Sequence, residues 1–330
     1  MAGPKILLLR FSSIGDIVLT TPVIRCLHQQ LGAEVHFLCK TAYRSLLDSN
    51  PYLSKVYSIQ KQLGEVLPAL RAEHYDHIID LHNNLRTLHL QLALRKRAFR
   101  FHKLNWRKWL LVNWKIDRLP RQHIVERYLA AAQPLGLVND GQGLDYFIPP
   151  AEREATQRYL QAQGLDPGAD FVAMAIGAAH ATKQLPLSQL RRICAGVKRR
   201  MVLLGGKAEQ AAGAALAAEG THLVNACGVL SLHQSAAVLQ RAQLVISPDT
   251  GMMHIAAALG KPIISVWGNT VPALGMYPYY GEGERLEQRF EVPGLTCRPC
   301  SKIGHGRCPK GHFRCMMEQD IAGIIAAAGQ

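Results

Sequence analysis

Four loops carry residues whose types and spacing suit the transfer of a group between an activated donor and a hydroxyl. In "RFSSIGDIVLTTP" a small polar turn of Ser12, Ser13 and Gly15 precedes Asp16 at the start of a helix. A carboxylate there can take a proton from an attacking hydroxyl or cap the helix, and spacing alone leaves both roles open. In "SPDTGMMHIAAALGKPIISVWG" a strand delivers Asp249, Thr250 and Gly251 to a second helix start. Backbone N–H groups, the Thr250 hydroxyl and the helix dipole can together hold a diphosphate, and Gly251 permits close approach. His254 lies one turn on, able to face the same ligand or to sit in the core. "IGAAHATKQLP" presents Thr182 and Lys183 after a strand. That lysine can neutralise a departing phosphate, or it is a solvated loop lysine. "LLGGKAEQ" presents Gly205 and Gly206 as room beside a ligand and Glu209 as an acceptor for hydroxyls; an ordinary tight turn reads the same way.

The elements around these loops alternate. "KILLLR" from Lys5, "EVHFLC" from Glu34, "KVYSI" from Lys55 and "HIIDL" from His77 are short apolar runs of strand length, and Asp16–Leu31 has helical spacing. After a helix from about His123, "DYFIPP" ends in two prolines and reads as a linker. Beyond it the alternation restarts. Strands run through "FVAMAIGA", "MVLLGG", "HLVNACG", "QLVISPDTG" and "PIISVWG", separated by helices over Ser188–Lys198, Ala208–Glu219, Ser231–Arg241 and Met252–Leu259. Such alternation predicts parallel sheets with helices on both faces. With 330 residues, two Rossmann-like α/β domains are expected, over 1–150 and 151–315, with a short helix over 316–330. Ligands should bind at the carboxyl ends of the strands, in a cleft where the two sets of loops gather.

Composition narrows the chemistry. A hydrophobic fraction of 48% excludes global disorder, and no apolar run reaches the ~18 residues of a membrane span. With no legible signal peptide, the chain reads as cytoplasmic. A net charge of +14 points to an anionic partner. The charge concentrates in Leu94–Arg121, where Trp106, Trp109 and Trp114 sit among lysines and arginines. That pattern fits an anionic acceptor at a membrane surface, or a solvated basic face with tryptophans in the core. Nucleic acid is disfavoured because no binding module for it is legible, and neither half carries the G-x-G-x-x-G fingerprint of a dinucleotide enzyme. No Asp-x-Asp pair at a strand end offers a site for a catalytic divalent ion.

Four of the eight cysteines, Cys26, Cys39, Cys194 and Cys227, read as buried reduced thiols. Cys297, Cys300, Cys308 and Cys315 are spaced C-x2-C-x7-C-x6-C. Four thiolates can complete a tetrahedral structural zinc site, or remain reduced thiols in a folded loop.

Individually weak, these loops together resemble a family, the ADP-heptose-using lipopolysaccharide heptosyltransferases of glycosyltransferase family 9. The most specific pieces are "ILLLRFSSIGDIVLTTPVI" and "SPDTGMMHIAAALGKPIISVWGNT", with "ATKQLP" and "LLGG" plus Glu209 between them. The resemblance implies a GT-B fold whose first domain takes a lipopolysaccharide core acceptor and whose second takes the nucleotide sugar. It implies inversion, with Asp16 as general base. Lys183, Asp249–Thr250–Gly251 and His254 would contact the diphosphate and sugar, and Thr182 and Glu209 would be further donor contacts. It also implies a terminal segment packed back on the first domain, and peripheral residence at the inner face of the inner membrane. No cofactor is required for catalysis in this reading. In "DLHNNLR", Asp80, His82, Asn84 and Arg86 are acceptor-side candidates. The rivals are a GT-B transferase with another nucleotide sugar, and a non-catalytic basic membrane- or nucleic-acid-binding protein on the same fold.

Overall fold

The computed structural model describes residues 3–329. They divide into two compact units. The first comprises the chain up to Lys103 with Gln122–Phe147 and Gly281–Gly283; the second comprises Leu104–Arg121, Ile148–Tyr280 and Glu284 onward.

The first unit is built on five strands: β1 (Lys5–Leu9), β2 (Glu34–Lys40), β3 (Lys55–Ile59), β4 (His77–Asp80) and β5 (Ala98–Arg100). They pair in parallel in the order β3-β2-β1-β4-β5. The middle strand is covered on both faces, which is why "ILLL" is a continuous apolar run with Ile6 to Leu9 all fully buried. β5 lies inside the basic stretch and was not expected. A three-residue edge strand ending in Arg100 has too little apolar signal to be read.

The helix expected over Asp16–Leu31 is two helices, Ile14–Val18 and Thr21–Leu31. Pro22 has no N–H to give to the Val18 carbonyl four residues back, and the Thr21 hydroxyl donates to that carbonyl instead at 2.8 Å. The Thr20 hydroxyl does the same for Ile17 at 2.7 Å. The break leaves a single helical turn behind Asp16, anchored at both ends.

The second unit has six strands: β6 (Val172–Ala175), β7 (Met201–Leu204), β8 (Leu223–Asn225), β9 (Leu244–Pro248), β10 (Ile263–Trp267) and β11 (Glu287–Glu291). All pair in parallel, in the order β11-β10-β9-β6-β7-β8. β11, "EQRFE", is a charged edge strand that no apolar pattern announced. Helices Leu187–Gly196, Gln210–Ala217, Leu232–Arg241 and Gly251–Ala258 join the strands. The apolar faces of Leu187–Gly196 and Gln210–Ala217 meet the sheet in a core that includes Met174, Ile193, Leu203, Ile246 and Ile264.

The C-terminal helix, Ile321–Ala328, corrects an expectation. It does not sit in the first unit. Ile321, Ile324 and Ala328 are buried in the second unit's core, beside Leu187–Gly196 and β10. A methyl group on Gly196 would fall 2.4 Å from Ile325 Cδ1, so the two helices touch through a glycine. An i, i+3, i+7 apolar stripe needs a partner, and the second unit provides it.

Candidate active site

A parallel sheet leaves a crevice at the carboxyl ends of the two strands from which its connections run in opposite directions. In the first sheet these are β1 and β4, and in the second β6 and β9. The loops after β1 and β4 carry Asp16 and the Leu81–Arg86 segment. The loops after β6 and β9 carry Lys183 and Asp249. Asp16, Lys183 and Asp249 thus lie on loops that flank the reversal point of each sheet.

Asp16 stands at the third position of the Ile14–Val18 helix, with Ser13 as the N-cap residue. One carboxylate oxygen accepts from the Ser13 backbone N–H at 3.2 Å and from the Ser13 hydroxyl at 2.9 Å. The other lies 2.6 Å from an Arg10 guanidinium nitrogen. Burial alone would raise the Asp16 carboxyl, but the Arg10 charge and the Ser13 hydrogen bonds outweigh it and hold it below the ordinary aspartate value. Its side chain remains 21% exposed, so a ligand can reach it. Ser13 orients the acid; Ser12 and the buried Gly15 form the turn that carries it.

Arg10 was not anticipated. It follows the last residue of β1, and its guanidinium donates to the Ser12 carbonyl at 2.8 Å and to the Leu81 carbonyl at 2.6 Å. It also lies 5.7 Å from the Tyr128 ring centre, and burial pushes the Tyr128 phenol up so that it keeps its proton. The available signal was a charge abutting a fully buried apolar strand, which needs a partner to be tolerated there.

The four residues proposed after β4 separate into two kinds. Asp80 is fully buried and accepts from the His82 and Asn83 N–H groups and from Gln91, so it shapes the loop. Asn84 caps the Leu85–Leu94 helix by accepting from Thr87 N–H at 2.9 Å. His82 and Arg86 instead flank Phe11, with ring-centre and guanidinium distances of 5.0 and 5.6 Å. His82 Nδ1 is buried with no hydrogen-bond partner among the described residues. Burial, then the Arg10 and Lys103 charges, push its imidazole down to about 4, so it is neutral at pH 7.

In the second unit Lys183 Nζ lies 2.6 Å from an Asp249 carboxylate oxygen, which also accepts from the Thr270 hydroxyl at 2.8 Å. The pair bridges the loops after β6 and β9. Thr250 is the N-cap of Gly251–Ala258, its hydroxyl accepting from Met252 N–H at 3.2 Å, and Gly251 opens the helix. His254 is buried within that helix.

Two sets of donor-side candidates have partners within the chain. Thr182 is buried, and its hydroxyl accepts from His305 N–H at 2.8 Å and donates to the His305 carbonyl at 3.1 Å. It anchors the loop beside Lys183. Gly205 and Gly206 do not leave open space. A methyl group on Gly205 would meet Glu209 Cβ at 2.7 Å and Cys227 Sγ at 3.1 Å, and Gly206 N–H donates to Glu209 Oε2 at 2.8 Å. The glycines admit the chain's own Glu209, which Gly177 also approaches, with Glu209 Cδ 2.6 Å from where a Gly177 methyl would stand.

The basic stretch is divided: β5 belongs to the first unit, and Leu104–Arg121, with the Asn105–Trp114 helix, belongs to the second. Its tryptophans are not in a core: Trp106 and Trp114 are 67% and 65% exposed, and Trp106 stacks on Trp109 at 5.0 Å. No helix of the described residues is long and apolar enough to cross a membrane. Among the described residues, Glu34, His36 and Glu73 are the group that brings three metal-ligating atoms within 4.8 Å of one another. Lys5 and Lys55 already neutralise that group, at 2.9 and 2.7 Å from Glu73.

Residues 64–282, more than half of the chain and including Lys183 and Asp249, match the family described as glycosyltransferase family 9 (heptosyltransferase). The chain is 26% identical over 311 residues to lipopolysaccharide heptosyltransferase 1 of Escherichia coli (strain K12), covering 86% of this chain and 92% of that protein. Among solved structures, a glycosyl transferase family 9 protein of Veillonella parvula aligns with a TM-score of 0.73 at 22% identity, over 86% of each chain. The E. coli heptosyltransferase WaaC with ADP-2-deoxy-2-fluoro heptose aligns with a TM-score of 0.65 at 22% identity, over 88% of this chain and 94% of that one. The chain belongs to glycosyltransferase family 9, the heptosyltransferases, and is a transferase built on the GT-B fold.

Proposed function

We propose that this enzyme transfers a heptose from ADP-heptose to a hydroxyl of a lipopolysaccharide core acceptor, with inversion at the anomeric carbon. The observation that carries the donor half is the Lys183–Asp249 pair across the loops after β6 and β9, beside the Gly251–Ala258 helix start. Family membership, the name of the E. coli relative and the ADP-sugar in the WaaC structure support the choice of donor and acceptor.

In this reading the acceptor oxygen bonds to the anomeric carbon as the bond from that carbon to the diphosphate oxygen breaks. The hydroxyl proton passes to Asp16. Its low basicity suits late transfer, once the attacking oxygen has become acidic; such help is worth ~10²–10⁴-fold. ADP leaves with the bonding pair, and its new charge is met by Lys183 and the N–H groups at the helix start. Asp249, an acceptor only, suits sugar hydroxyls and not phosphate, as does Glu209. Lys183 therefore exchanges Asp249 for phosphate when donor binds. Because these groups supply the positive charge, turnover should not depend on added divalent ion.

The acceptor's lipid places the reaction at a membrane surface. We assign the contact to the Asn105–Trp114 helix, whose exposed tryptophans stand among Arg107, Lys108, Arg118 and Arg121. The protein would then act as a cytoplasmic, peripheral enzyme at the inner membrane. Donor specificity is tested by turnover with ADP-heptose against UDP- and GDP-sugars; equal use of the latter overturns the ADP-heptose assignment. Flotation with anionic and neutral vesicles tests the membrane contact, and indifference to lipid charge removes it.

A further inference from the structure

We propose that Arg298 is a positioning residue of the donor half: through the loop after β10 it sets the Thr270 hydroxyl, which keeps the Asp249 carboxylate in place when Lys183 leaves it for phosphate. This positioning rests on the reading of Lys183 as the cation that meets the diphosphate.

Every carbonyl from Trp267 to Thr270 is held by one short stretch of chain. The Arg298 guanidinium donates to the Trp267 carbonyl at 3.3 Å, to that of Gly268, and to that of Thr270 at 2.9 Å. The Cys300 N–H donates to the Asn269 carbonyl at 3.2 Å. The guanidinium also donates to the Val292 carbonyl at 3.1 Å and pairs with Glu291 at 3.1 Å. Its side chain is 7% exposed, so a cation has been taken out of water mainly to serve backbone carbonyls. A planar fork of five donors can meet that many acceptors at once; an ammonium on a flexible stem cannot.

The loop so held carries Thr270. The Thr270 carbonyl is on Arg298, and its hydroxyl donates at 2.8 Å to the same Asp249 oxygen that lies 2.6 Å from Lys183 Nζ. A β-branched side chain has few rotamers, so fixing the Thr270 peptide fixes where its hydroxyl points. Thr270 and Asp249 are both buried. A buried carboxylate that loses its cation is costly unless another donor stays with it. Thr270 is a donor that stays, and it lowers the cost of the exchange by which Lys183 reaches phosphate.

The same stretch of chain reaches the turn that carries Lys183. Thr182 N–H donates to the His305 carbonyl at 3.2 Å, beside the two bonds of its hydroxyl to the His305 backbone. A methyl group on Gly268 would lie 2.8 Å from the Thr182 carbonyl oxygen, so the β10 loop and the Lys183 turn press on each other. Hydrogen bonds make these ties. Cys297, Cys300, Cys308 and Cys315 are free thiols, and among the described residues no three of their sulfurs lie within 4.8 Å of one another.

The test is ADP affinity by calorimetry on the full chain, with Arg298→Lys and Thr270→Val each made in the wild-type and in the Asp249→Asn background. In the wild-type background each should bind ADP roughly 10-fold more weakly, because a charged acceptor has lost a bond it needs once Lys183 departs. In the Asp249→Asn background neither should change ADP affinity, since the charge they serve is gone. A role confined to holding the fold together would weaken binding equally in both backgrounds, and that result overturns the positioning. Lysine keeps the charge and loses the fork, so full ADP affinity in Arg298→Lys also overturns it. Thr270→Val changes one buried hydroxyl and reads the link even where Arg298→Lys does not fold; unchanged ADP binding there overturns it too. A wild-type chain that binds no ADP refutes the donor reading instead, and the positioning falls with it.

Discussion

Each unit places a carboxylate against a cation at 2.6 Å, Asp16 with Arg10 and Asp249 with Lys183, and the two pairs are built in opposite ways. Arg10 extends from the end of a buried strand, is held by two backbone carbonyls, and lies over Tyr128. A planar guanidinium fixed at that many points cannot move without breaking them, so it holds the carboxylate in one orientation. Lys183 sits on a loop turn, and its ammonium is a point charge on a flexible stem. The first pair suits a group that must stay in place while a proton arrives; the second suits a cation that must change partners when a diphosphate binds. A 2.6 Å ion pair does not by itself tell the two apart; the element carrying the cation does.

That contrast can be broken at several points. The largest effect is expected at Asp16→Ala: turnover falls ~10²–10⁴-fold while ADP binding by calorimetry is unchanged. Near-normal turnover removes Asp16 from the chemistry. Next comes Lys183→Ala, which removes a charge-assisted contact and should weaken ADP binding and rate by roughly 10–100-fold. If only the rate falls, Lys183 does not hold the diphosphate in the ground state. Arg10→Gln should cost less rate but move the acid limb of the kcat/KM profile. Asp16 is held below the ordinary aspartate value mainly by the Arg10 charge, so losing that charge raises its pKa and shifts the limb to higher pH. An unmoved limb means Asp16 is not the titrating group.

The smallest effect is expected at His82. Its folded imidazole titrates at about 4, below its ordinary value of 6.5, so between those values the unfolded chain binds the extra proton. Stability from this group is complete above pH 6.5 and is lost as pH falls toward 4, on the order of 1 kcal/mol after solvent screening. In His82→Gln, denaturation midpoints across that range should flatten; an unchanged slope assigns the pH dependence elsewhere.

Strands were legible where both faces are buried. β7 and the Ile6–Leu9 part of β1 are continuous apolar runs, as strands covered on both faces are. Edge strands β5 and β11 were invisible because their side chains are mostly charged or half-exposed, whereas the edge strands β3 and β8 keep enough apolar residues to be read. Asp16, Lys183 and Asp249 were legible as types at strand ends, and topology placed them on the loops that flank each sheet's reversal point. Arg10 was not read at all, and the intramolecular partners of Thr182 and of the glycines at 205 and 206 were not foreseen. What each does depends on partners distant in the chain: the Leu81 carbonyl, the His305 backbone, and Glu209 with Cys227.

From its sequence alone the chain reads as a two-part α/β protein through its apolar periodicity, and as a transferase through its resemblance to glycosyltransferase family 9. Which polar side chains already have partners within the chain was decided only by the fold. A buried donor or acceptor must be satisfied somewhere, and only tertiary contacts show whether the chain has already satisfied it. Asp80, Asn84 and Thr182 have partners within their own loops or neighbours, while Asp16 keeps an exposed edge and Lys183 is paired with Asp249.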